Sequence, residues 1–416
     1  MAIRVLLVSA EYPPMPGGVG DYTALLAQSL ADNGASVAVL TSPTSGRALN
    51  DAITVFPVVR RWDWRVARLV RAVVKEVQPD VLHLQFQTGM YAMHPAINLL
   101  PGRSPSARGM VCRYAPEPHK RPQFVTTFHD LRPPYLFPKA GPLRGQVMSY
   151  LARESDAVIA TNGADWQALQ EWNRTTALIP IGSNIPTASI HDPQAIRARY
   201  GIPADAPLLT TFGLLNQSKG IEVVIDALAV LRQEGMNAHL LLIGAGAGIN
   251  DPTNRATEVA VERQCAAAGL TAFVHRAGSL PAPEVAASLE ASDVCVLPYR
   301  DGASPRRGSL LAALAQGIPV VTTTPMPAVY DGLPAFRDGE IARCVPVANA
   351  RAIAEAVQAI LRDDLLAARL RAGAAAYAKR FTWSAIATQT LALYDTLGVM
   401  ATEAITVPAV TSGVER

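Results

Sequence analysis

Three segments of the sequence carry the residue types from which phosphate sites are built. The first, Glu11–Gly20, places three glycines between a short apolar run and the amphipathic segment Asp21–Asn33. Glycine lets a backbone approach a ligand closely, and the free N–H groups of a helix N-terminus attract an anion. The segment therefore predicts either an anion site or a tight turn that needs glycine only for its shape.

The second and third segments add positive charge to the same kind of turn. Lys219 lies in Phe212–Gly220, between an apolar run and a segment with helical spacing, and Arg306 and Arg307 precede the pair Gly308-Ser309 at another helix start. A cation at a helix N-terminus reinforces the attraction for phosphate. The alternatives are a solvated lysine in a loop and an ordinary exposed pair of arginines.

Two histidines and one further glycine run stand where side chains could reach a ligand. His129 ends a predicted strand, at the edge where α/β sheets bind ligands, and could donate to a developing negative charge. A hydrogen-bonded structural histidine is the alternative there, and it is favoured for His83 inside the apolar run Val81–Gln85. The run Gly244–Gly248 lacks the spacing of a dinucleotide fingerprint and is a weak signal for NAD.

The elements that position these segments follow one rhythm. Short apolar runs rich in β-branched residues alternate with segments of helical spacing, which indicates parallel sheets covered by helices on both faces. The rhythm restarts after residues 182–187, so two successive doubly wound units are the economical interpretation. The predicted strands are Val5–Ser9, Ser36–Thr41, Val81–Gln85, Phe124–His129, Ala157–Ala160, Ala177–Pro180, Leu208–Phe212, Ala238–Ile243, Phe273–Ala277, Val294–Pro298 and Pro319–Thr323. The predicted helices of the second half cover Ile221–Gln233, Thr257–Ala268, Pro283–Glu290 and Ser309–Ala315.

Length and composition fit this organisation. A chain of 416 residues exceeds one ordinary core, so two domains with a cleft between them are expected. Only 17% of the residues are charged and the net charge is +3, which excludes the strongly basic character of a nucleic-acid-binding protein. Four widely spaced cysteines predict neither a zinc ribbon nor a disulfide framework and suit a reducing compartment.

The hydropathy pattern also predicts a location. No uncharged apolar run approaches the roughly 20 residues that span a bilayer. The N-terminal run Met1–Ser9 is interpreted as the start of a buried strand and not as a signal peptide, because it is short and is followed by Glu11 and a Pro/Gly turn. A cytoplasmic protein is expected, with at most a peripheral contact to the inner face of a membrane.

Taken in order, these motifs resemble those of the family-4 glycosyltransferases, which have the two-domain GT-B fold. The resemblance runs from about residue 4 to residue 396. It rests on the turn Pro13–Gly20, the strand-end pair His129-Asp130, the phosphate segment Gly213–Gly220, the helix ending Ala315–Val320, and Phe381-Thr-Trp383 with its helix to Tyr394.

The resemblance implies an α/β fold of two doubly wound Rossmann-like domains that face each other across a cleft. An acceptor-side domain would cover residues 1–182 and a nucleotide-sugar-binding domain residues 183–375. Residues 376–398 would form a helix that crosses back to the first domain, and residues 399–416 a flexible tail. The implied activity is transfer of a sugar from a UDP- or GDP-sugar to a glycan, lipid or small-molecule acceptor, with retention at the anomeric carbon and without a cofactor or a required metal.

The resemblance also implies roles for particular residues. His129 would contact the donor sugar near the reacting carbon as the catalytic residue, and Gly18 of the first domain would close over the β-phosphate. Fixed donors would stabilise the charge that develops on the leaving diphosphate. The phosphates are expected to be held in the second domain by Gly213, Lys219, Arg306, Arg307, Gly308 and Ser309.

The sequence departs from the family pattern at three positions. The two glutamates that the family places around the donor sugar and ribose fall on Ser304 and Ala312 here, and the arginine that follows the glycine of the phosphate segment falls on Leu214. Arg306 and Arg307 would offset part of the lost phosphate contact. The candidates for a ribose or sugar contact are Ser304, Asp301 and Glu284.

Other interpretations stay open. Because both carboxylates are missing, the chain could be a GT-B protein that binds a nucleotide or sugar without turnover and acts through a partner. An NAD-dependent oxidoreductase rests only on the glycine-rich turns.

Two segments of the first half bear on the acceptor. The residues Arg65, Arg68, Arg71 and Lys75 fall along one side of a helix, which could meet anionic lipid or an acidic glycan, or be only a solvated face. The segment 101–122 is predicted to be a long loop in the acceptor-side domain, and acceptor specificity could reside there.

Overall fold

The computed structural model of the chain describes residues 2–15, 17–43, 52–101, 121–131, 141–187, 192–213, 217–244, 252–326 and 330–399. Most of the predicted loop 101–122, the substituted position Leu214 and nearly all of the predicted tail 399–416 lie outside these residues. Two compact units make up the chain. The first contains the residues up to Ala160, Ala168–Ala177 and those from Ala387 on, and the second contains Thr161–Gln167 and Leu178–Ile386.

The first unit is built on a sheet of seven strands with helices between them. The strands lie in the order β3-β2-β1-β4-β5-β6-β7, and the five pairings from β3 to β6 are parallel. The strands are β1 Arg4–Val8, β2 Ser36–Leu40, β3 Ile53–Phe56, β4 Val81–Phe86, β5 Gln123–Phe128, β6 Ala157–Ala160 and β7 Thr176–Leu178. The helices of this part are α1 Gly18–Asp32, α2 Val66–Val77, α3 Gly141–Glu154 and α4 Gly163–Gln170.

The second unit repeats this plan with six strands in the order β10-β9-β8-β11-β12-β13, all paired in parallel. The strands are β8 Leu208–Phe212, β9 His239–Ile243, β10 Val274–Gly278, β11 Val294–Leu297, β12 Val320–Thr323 and β13 Arg343–Val345. The helices are α5 Pro193–Arg199, α6 Ile221–Gln233, α7 Pro252–Ala267, α8 Ala282–Glu290, α9 Gly308–Ala315, α10 Ala350–Arg362, α11 Asp364–Ala378 and α12 Trp383–Thr396, with short 3₁₀ helices at Gln217–Lys219 and Lys379–Phe381.

The core of the second unit shows why its strands read as continuous apolar runs. Successive strand residues point to opposite faces of the sheet. Leu208, Leu241 and Cys295 belong to an apolar cluster on one face, whereas Leu209 and Leu240 belong to a second cluster on the other. Helices pack on both clusters, so neither face of the sheet is left to solvent. The predicted fold class, two doubly wound α/β units, is confirmed.

Some elements of the fold were not predicted from the sequence. The boundary between the compact units also lies at a different position from the break in the sequence pattern. β3, an edge strand of four residues in which only Ile53 is buried, was not among the predicted strands. The pattern break falls at residues 182–187, whereas the compact units divide before Leu178, and Thr161–Gln167 belongs to the second unit. The division between Ile386 and Ala387 falls inside α12. In the described part of the chain, no helix combines the length and the hydropathy needed to cross a membrane.

Candidate functional site

The second unit brings two of the predicted phosphate segments together at the carboxyl ends of neighbouring strands. β8 and β11 are adjacent and parallel, and the strand order reverses between them. Gly213 follows β8 directly, and α9 begins at Gly308 after β11. Ligands of open α/β sheets bind at such a reversal point, outside the carboxyl ends of the strands.

A cluster of three side chains, Lys219, Arg307 and Ser309, lies there around the buried ring of Tyr299. Lys219 Nζ is 5.0 Å and Arg307 Cζ is 4.8 Å from the centroid of this ring. Lys219 Nζ donates to Ser309 Oγ at 3.0 Å, and the Tyr299 hydroxyl lies 2.7 Å from the same oxygen. The cluster therefore gathers two cations and two hydroxyls at the N-terminus of α9, which is a set of donors suited to a diphosphate.

The backbone around the cluster requires glycine. Gly213 and Gly220 have φ of +136° and +66°, values that other residues rarely adopt. A Cβ on Gly220 would lie 2.3 Å from the carbonyl oxygen of Pro298, and a Cβ on Gly244 would lie 2.2 Å from that of Gly213. The first glycine of the run that weakly suggested NAD thus serves close packing of two strand-end turns, and the rest of that run lies outside the described residues.

The two predicted arginines have different partners. Arg307 is ion-paired with Asp301 next to the Tyr299 ring. Arg306 Nη1 lies 3.6 Å from Oδ2 of Asp165, a buried carboxylate in the first turn of α4. The two arginines were predicted to act together on one phosphate site, but their guanidinium groups lie beside different carboxylates. The structure places only Arg307 in the cluster.

Burial disfavours the charged form of Lys219 in this cluster. Desolvation and the neighbouring charge of Arg307 lower the pKa of Lys219 to about 8, while the carboxylate of Asp301 acts in the opposite direction. An anion bound beside Lys219 would favour its charged form and raise this pKa again. A diphosphate bound at this site would therefore be coupled to the protonation of Lys219 near pH 8.

Of the residues predicted to contact a sugar or ribose, some lie at the cluster and one lies away from it. Asp301 is joined to the cluster by its ion pair with Arg307. The Ser304 hydroxyl accepts a hydrogen bond from the backbone N–H of Arg306 at 3.3 Å. Ala312 lies on α9 and is fully buried in the apolar core of the second unit. Glu284 is placed at the surface of α8, where its carboxylate accepts from Arg199 at 2.7 Å. The structure does not bring Glu284 to the cluster.

The glycine turn of the first unit holds a carboxylate of its own. A Cβ on Gly17 would lie 2.1 Å from Glu11 Oε2, and the backbone N–H of Gly20 donates to the Glu11 carboxylate. Burial raises the pKa of Glu11, the bond from Gly20 counteracts this, and Asp21 adds to the rise. The glycine spacing predicts this turn but gives no sign of the Glu11 carboxylate beside it. Gly18 begins α1 and is exposed, and its predicted contact with a β-phosphate stays a prediction.

His129 follows β5 and is oriented by residues of two other elements. Its Nε2 lies 2.9 Å from Oε1 of Gln85 on β4, and its ring meets that of Tyr22 edge-on with centroids 4.6 Å apart. Gln85 is fully buried, and the signal that could have revealed it is a polar residue inside the apolar strand β4. Because the Gln85 oxygen accepts, Nε2 of His129 is the protonated nitrogen in this arrangement.

His83 has the surroundings of a structural histidine, as expected from its place in β4. Its ring nitrogens lie 2.6 Å from the hydroxyl of Tyr394 and 2.7 Å from Oγ1 of Thr127. Burial and the neighbouring His129 lower the pKa of His83 to about 3, so its ring is neutral at physiological pH. Among the described residues, no group of three His, Cys, Asp or Glu side chains is placed to hold a metal ion.

Comparison with known proteins agrees with this architecture. A family model described as "Glycosyl transferase 4-like domain" matches residues 17–182, and one described as "Glycosyl transferases group 1" matches residues 206–363. A phosphatidyl-myo-inositol mannosyltransferase of Mycobacterium leprae is 26% identical over 412 residues, which cover 95% of this chain and 97% of the relative. A D-inositol 3-phosphate glycosyltransferase of Corynebacterium aurimucosum is 28% identical over 261 residues, which cover 60% of this chain and 54% of the relative.

Solved structures share the fold. Sucrose-phosphate synthase from Thermosynechococcus elongatus superposes with a TM-score of 0.70 at 21% identity, over 95% of this chain and 99% of that one. The Anabaena protein HepE in complex with UDP and glucose superposes with a TM-score of 0.69 at 20% identity, over 96% of this chain and 100% of that one. With both domain models matched over more than three quarters of its length and this fold in common, the chain belongs to the family-4, or group 1, glycosyltransferases of the GT-B fold.

Proposed function

We propose that this protein transfers a sugar from a nucleoside diphosphate sugar, a UDP- or GDP-sugar, to an acceptor, and that its second unit binds the diphosphate. The observation that carries the proposal is the cluster of Lys219, Arg307 and Ser309 around Tyr299, at the strand-order reversal of the second sheet. The presence of UDP and glucose in the related HepE structure supports a donor of this class.

The proposed chemistry follows from the charges of the cluster. When the bond between the sugar and the diphosphate breaks, negative charge develops on the leaving phosphate. Lys219, Arg307 and the backbone N–H groups of Gly308 and Ser309 at the start of α9 would stabilise that charge, because they are held in place before the reaction begins. A retaining reaction without a required metal is part of the proposal, as is a contact of His129 from the first unit with the reacting sugar.

For the acceptor we propose a lipid or glycan, with the protein at the inner face of a membrane. The phosphatidyl-myo-inositol mannosyltransferases among the relatives are named for a lipid substrate. The first unit also exposes 53% of Trp64 beside a basic segment, and an exposed aromatic ring among cations suits a membrane surface with anionic lipid. The cations of this segment that are exposed, and make no ion pair within the described residues, are Arg60, Arg61, Arg65, Arg68 and Lys75.

One experiment tests the transfer activity. The protein is incubated with a panel of UDP- and GDP-sugars together with lipid, glycan and small-molecule acceptors, and the released nucleotide is measured. We expect release of UDP or GDP that depends on one acceptor class. Sedimentation with phosphatidylglycerol vesicles, compared with phosphatidylcholine vesicles, tests the membrane contact, and equal binding to both would contradict it.

The alternative, a protein that binds the nucleotide without turnover, is favoured by one observation. The positions that correspond to the two family glutamates hold Ser304 and Ala312, and Ala312 is fully buried, so a carboxylate is replaced there by an apolar contact. Tight nucleotide binding without release of nucleotide from any donor, across the whole acceptor panel, would establish this alternative.

A further inference from the structure

Tyr299 contacts three residues of the proposed diphosphate site, although nothing in its local sequence distinguishes it. Its side chain is fully buried, and its ring lies within 5.0 Å of both Lys219 Nζ and Arg307 Cζ. Its backbone is held by β12, because the hydroxyl of Thr323 donates to the Tyr299 carbonyl at 2.8 Å. Tyr299 is therefore a fixed point around which the more flexible lysine and arginine side chains are arranged.

The hydrogen atoms of the cluster can be assigned from burial. Within the described residues, the only partner of the Tyr299 hydroxyl is Ser309 Oγ at 2.7 Å. If Ser309 donated to Tyr299, the phenolic hydrogen would be buried without an acceptor, which is unfavourable. Tyr299 therefore donates to Ser309 Oγ, and Lys219 donates to the same oxygen at 3.0 Å.

This assignment leaves Ser309 with one hydrogen-bonding group to offer. A hydroxyl has two acceptor lone pairs and one donor hydrogen, and Tyr299 and Lys219 occupy both lone pairs. The hydrogen of Ser309 remains, and Ser309 lies in the first turn of α9, where the helix N-terminus favours an anion. A phosphate oxygen is the acceptor that fits this donor.

We propose that Tyr299 is the positioning residue of the diphosphate site: its ring holds Lys219 and Arg307, and its hydroxyl directs the hydrogen of Ser309 to a phosphate oxygen. The proposal rests on the proposed function, because it needs a nucleoside diphosphate at this site. It adds that diphosphate recognition acts through a residue that touches no ligand itself.

Tyr299→Phe tests the role of the hydroxyl while keeping the ring. The binding of UDP and GDP, and of the nucleosides uridine and guanosine, is measured by titration calorimetry on the full chain. For the diphosphate that the wild type binds, we expect the variant to bind about three- to tenfold more weakly, since one hydrogen bond is lost. Nucleoside binding should be unchanged, because a nucleoside has no phosphate. A general loss of structure would weaken both.

Tyr377→Phe is the matched control. Tyr377 is also buried in the second unit, but its hydroxyl donates to the carbonyl of Pro334 at 3.3 Å and not to the cluster. This variant should bind the diphosphate as the wild type does. An equal loss in both variants, or no loss in Tyr299→Phe, would overturn the proposal.

A double-mutant cycle with Ser309→Ala shows whether Tyr299 acts through Ser309. If it does, Tyr299→Phe should change diphosphate affinity by less than twofold once Ser309 has been replaced by alanine. Independent losses that multiply in the double variant would contradict the proposal. A wild-type protein that binds neither UDP nor GDP would instead overturn the proposed function, so the two failures are distinguishable.

Discussion

The two glycine-rich turns that follow the first strand of each sheet carry opposite charges. In the first unit the turn at Gly17 and Gly20 is occupied by the carboxylate of Glu11. In the second unit the turn from Gly213 to Gly220 carries Lys219. Both turns precede a helix N-terminus, which favours an anion. The first turn already has an anion from its own chain, whereas the second has a cation that prepares it for an anion from outside.

Burial acts on the two charges in the same way. It raises the pKa of Glu11 and lowers that of Lys219, because removal from water disfavours the charged form of both groups. The backbone N–H of Gly20 compensates Glu11 within the protein. Lys219 has the partial help of Asp301 but also the repulsion of Arg307, so a diphosphate would complete its surroundings. Glycine spacing therefore identifies such a turn, and the charge next to it decides what the turn can bind.

The largest expected effect comes from removing the cation of the second turn. Lys219→Ala should weaken UDP or GDP binding by about 10- to 100-fold, since a charge-assisted hydrogen bond to phosphate is lost. Titration calorimetry measures the effect, and Lys379→Ala, which removes an exposed lysine of the same unit, is the control. If Lys219→Ala bound the diphosphate within twofold of the wild type, the claim that Lys219 prepares the second turn for an external anion would be wrong.

The next effect is the pH dependence of binding. The pKa of Lys219 in the free protein is about 8, and a bound diphosphate would raise it. Affinity should therefore be nearly constant below pH 8 and fall by up to tenfold per pH unit above it, because Lys219 must then take up a proton on binding. Titrations at pH 7, 8 and 9 measure this slope. The loss above pH 8 should disappear in Lys219→Ala, and a slope that persists there would assign it to another group.

A smaller effect is expected from the carboxylate that competes for Arg307. Asp301 is ion-paired with Arg307 in the free protein, so a diphosphate has to share or replace this partner. Asp301→Asn should strengthen diphosphate binding by about threefold, in the range of a partly exposed ion pair. Asp205→Asn, at an exposed position of the same unit, is the control. Weaker binding by Asp301→Asn would instead show that Asp301 contacts the donor, as a ribose or sugar ligand.

The sequence was sufficient for those parts of the molecule that depend on local patterns. β6 and β8 have the predicted bounds, because each is a short run of apolar and β-branched residues closed by turn residues. Lys219 and Ser309 were predicted to share a site, and they lie 3.0 Å apart because their segments follow adjacent strands. The alternation of strands and helices predicts parallel strands, whose carboxyl ends meet at one edge of the sheet.

Contacts that depend on the direction of a side chain could not be predicted in this way. Tyr299 contacts Lys219, which lies eighty positions earlier in the chain, and no local signal in the sequence predicts that contact. The sequence places Glu11 in a loop and does not predict that its carboxylate lies against Gly17. Arg306 and Arg307 are adjacent in sequence, yet Asp165 draws one of them away from the cluster. In each case a side chain's direction, and not its type, decides its role.

The smallest expected effect on nucleotide binding is the one that isolates the first turn. Glu11→Gln removes the charge but keeps the size of the side chain and an oxygen that can accept from Gly20. If the internal carboxylate only completes the helix N-terminus, diphosphate affinity should change by less than twofold in the same titration. If Gly18 closes over the β-phosphate as the resemblance implies, removing the nearby negative charge should strengthen binding by threefold or more, and the first turn would then be a second anion site whose affinity Glu11 limits.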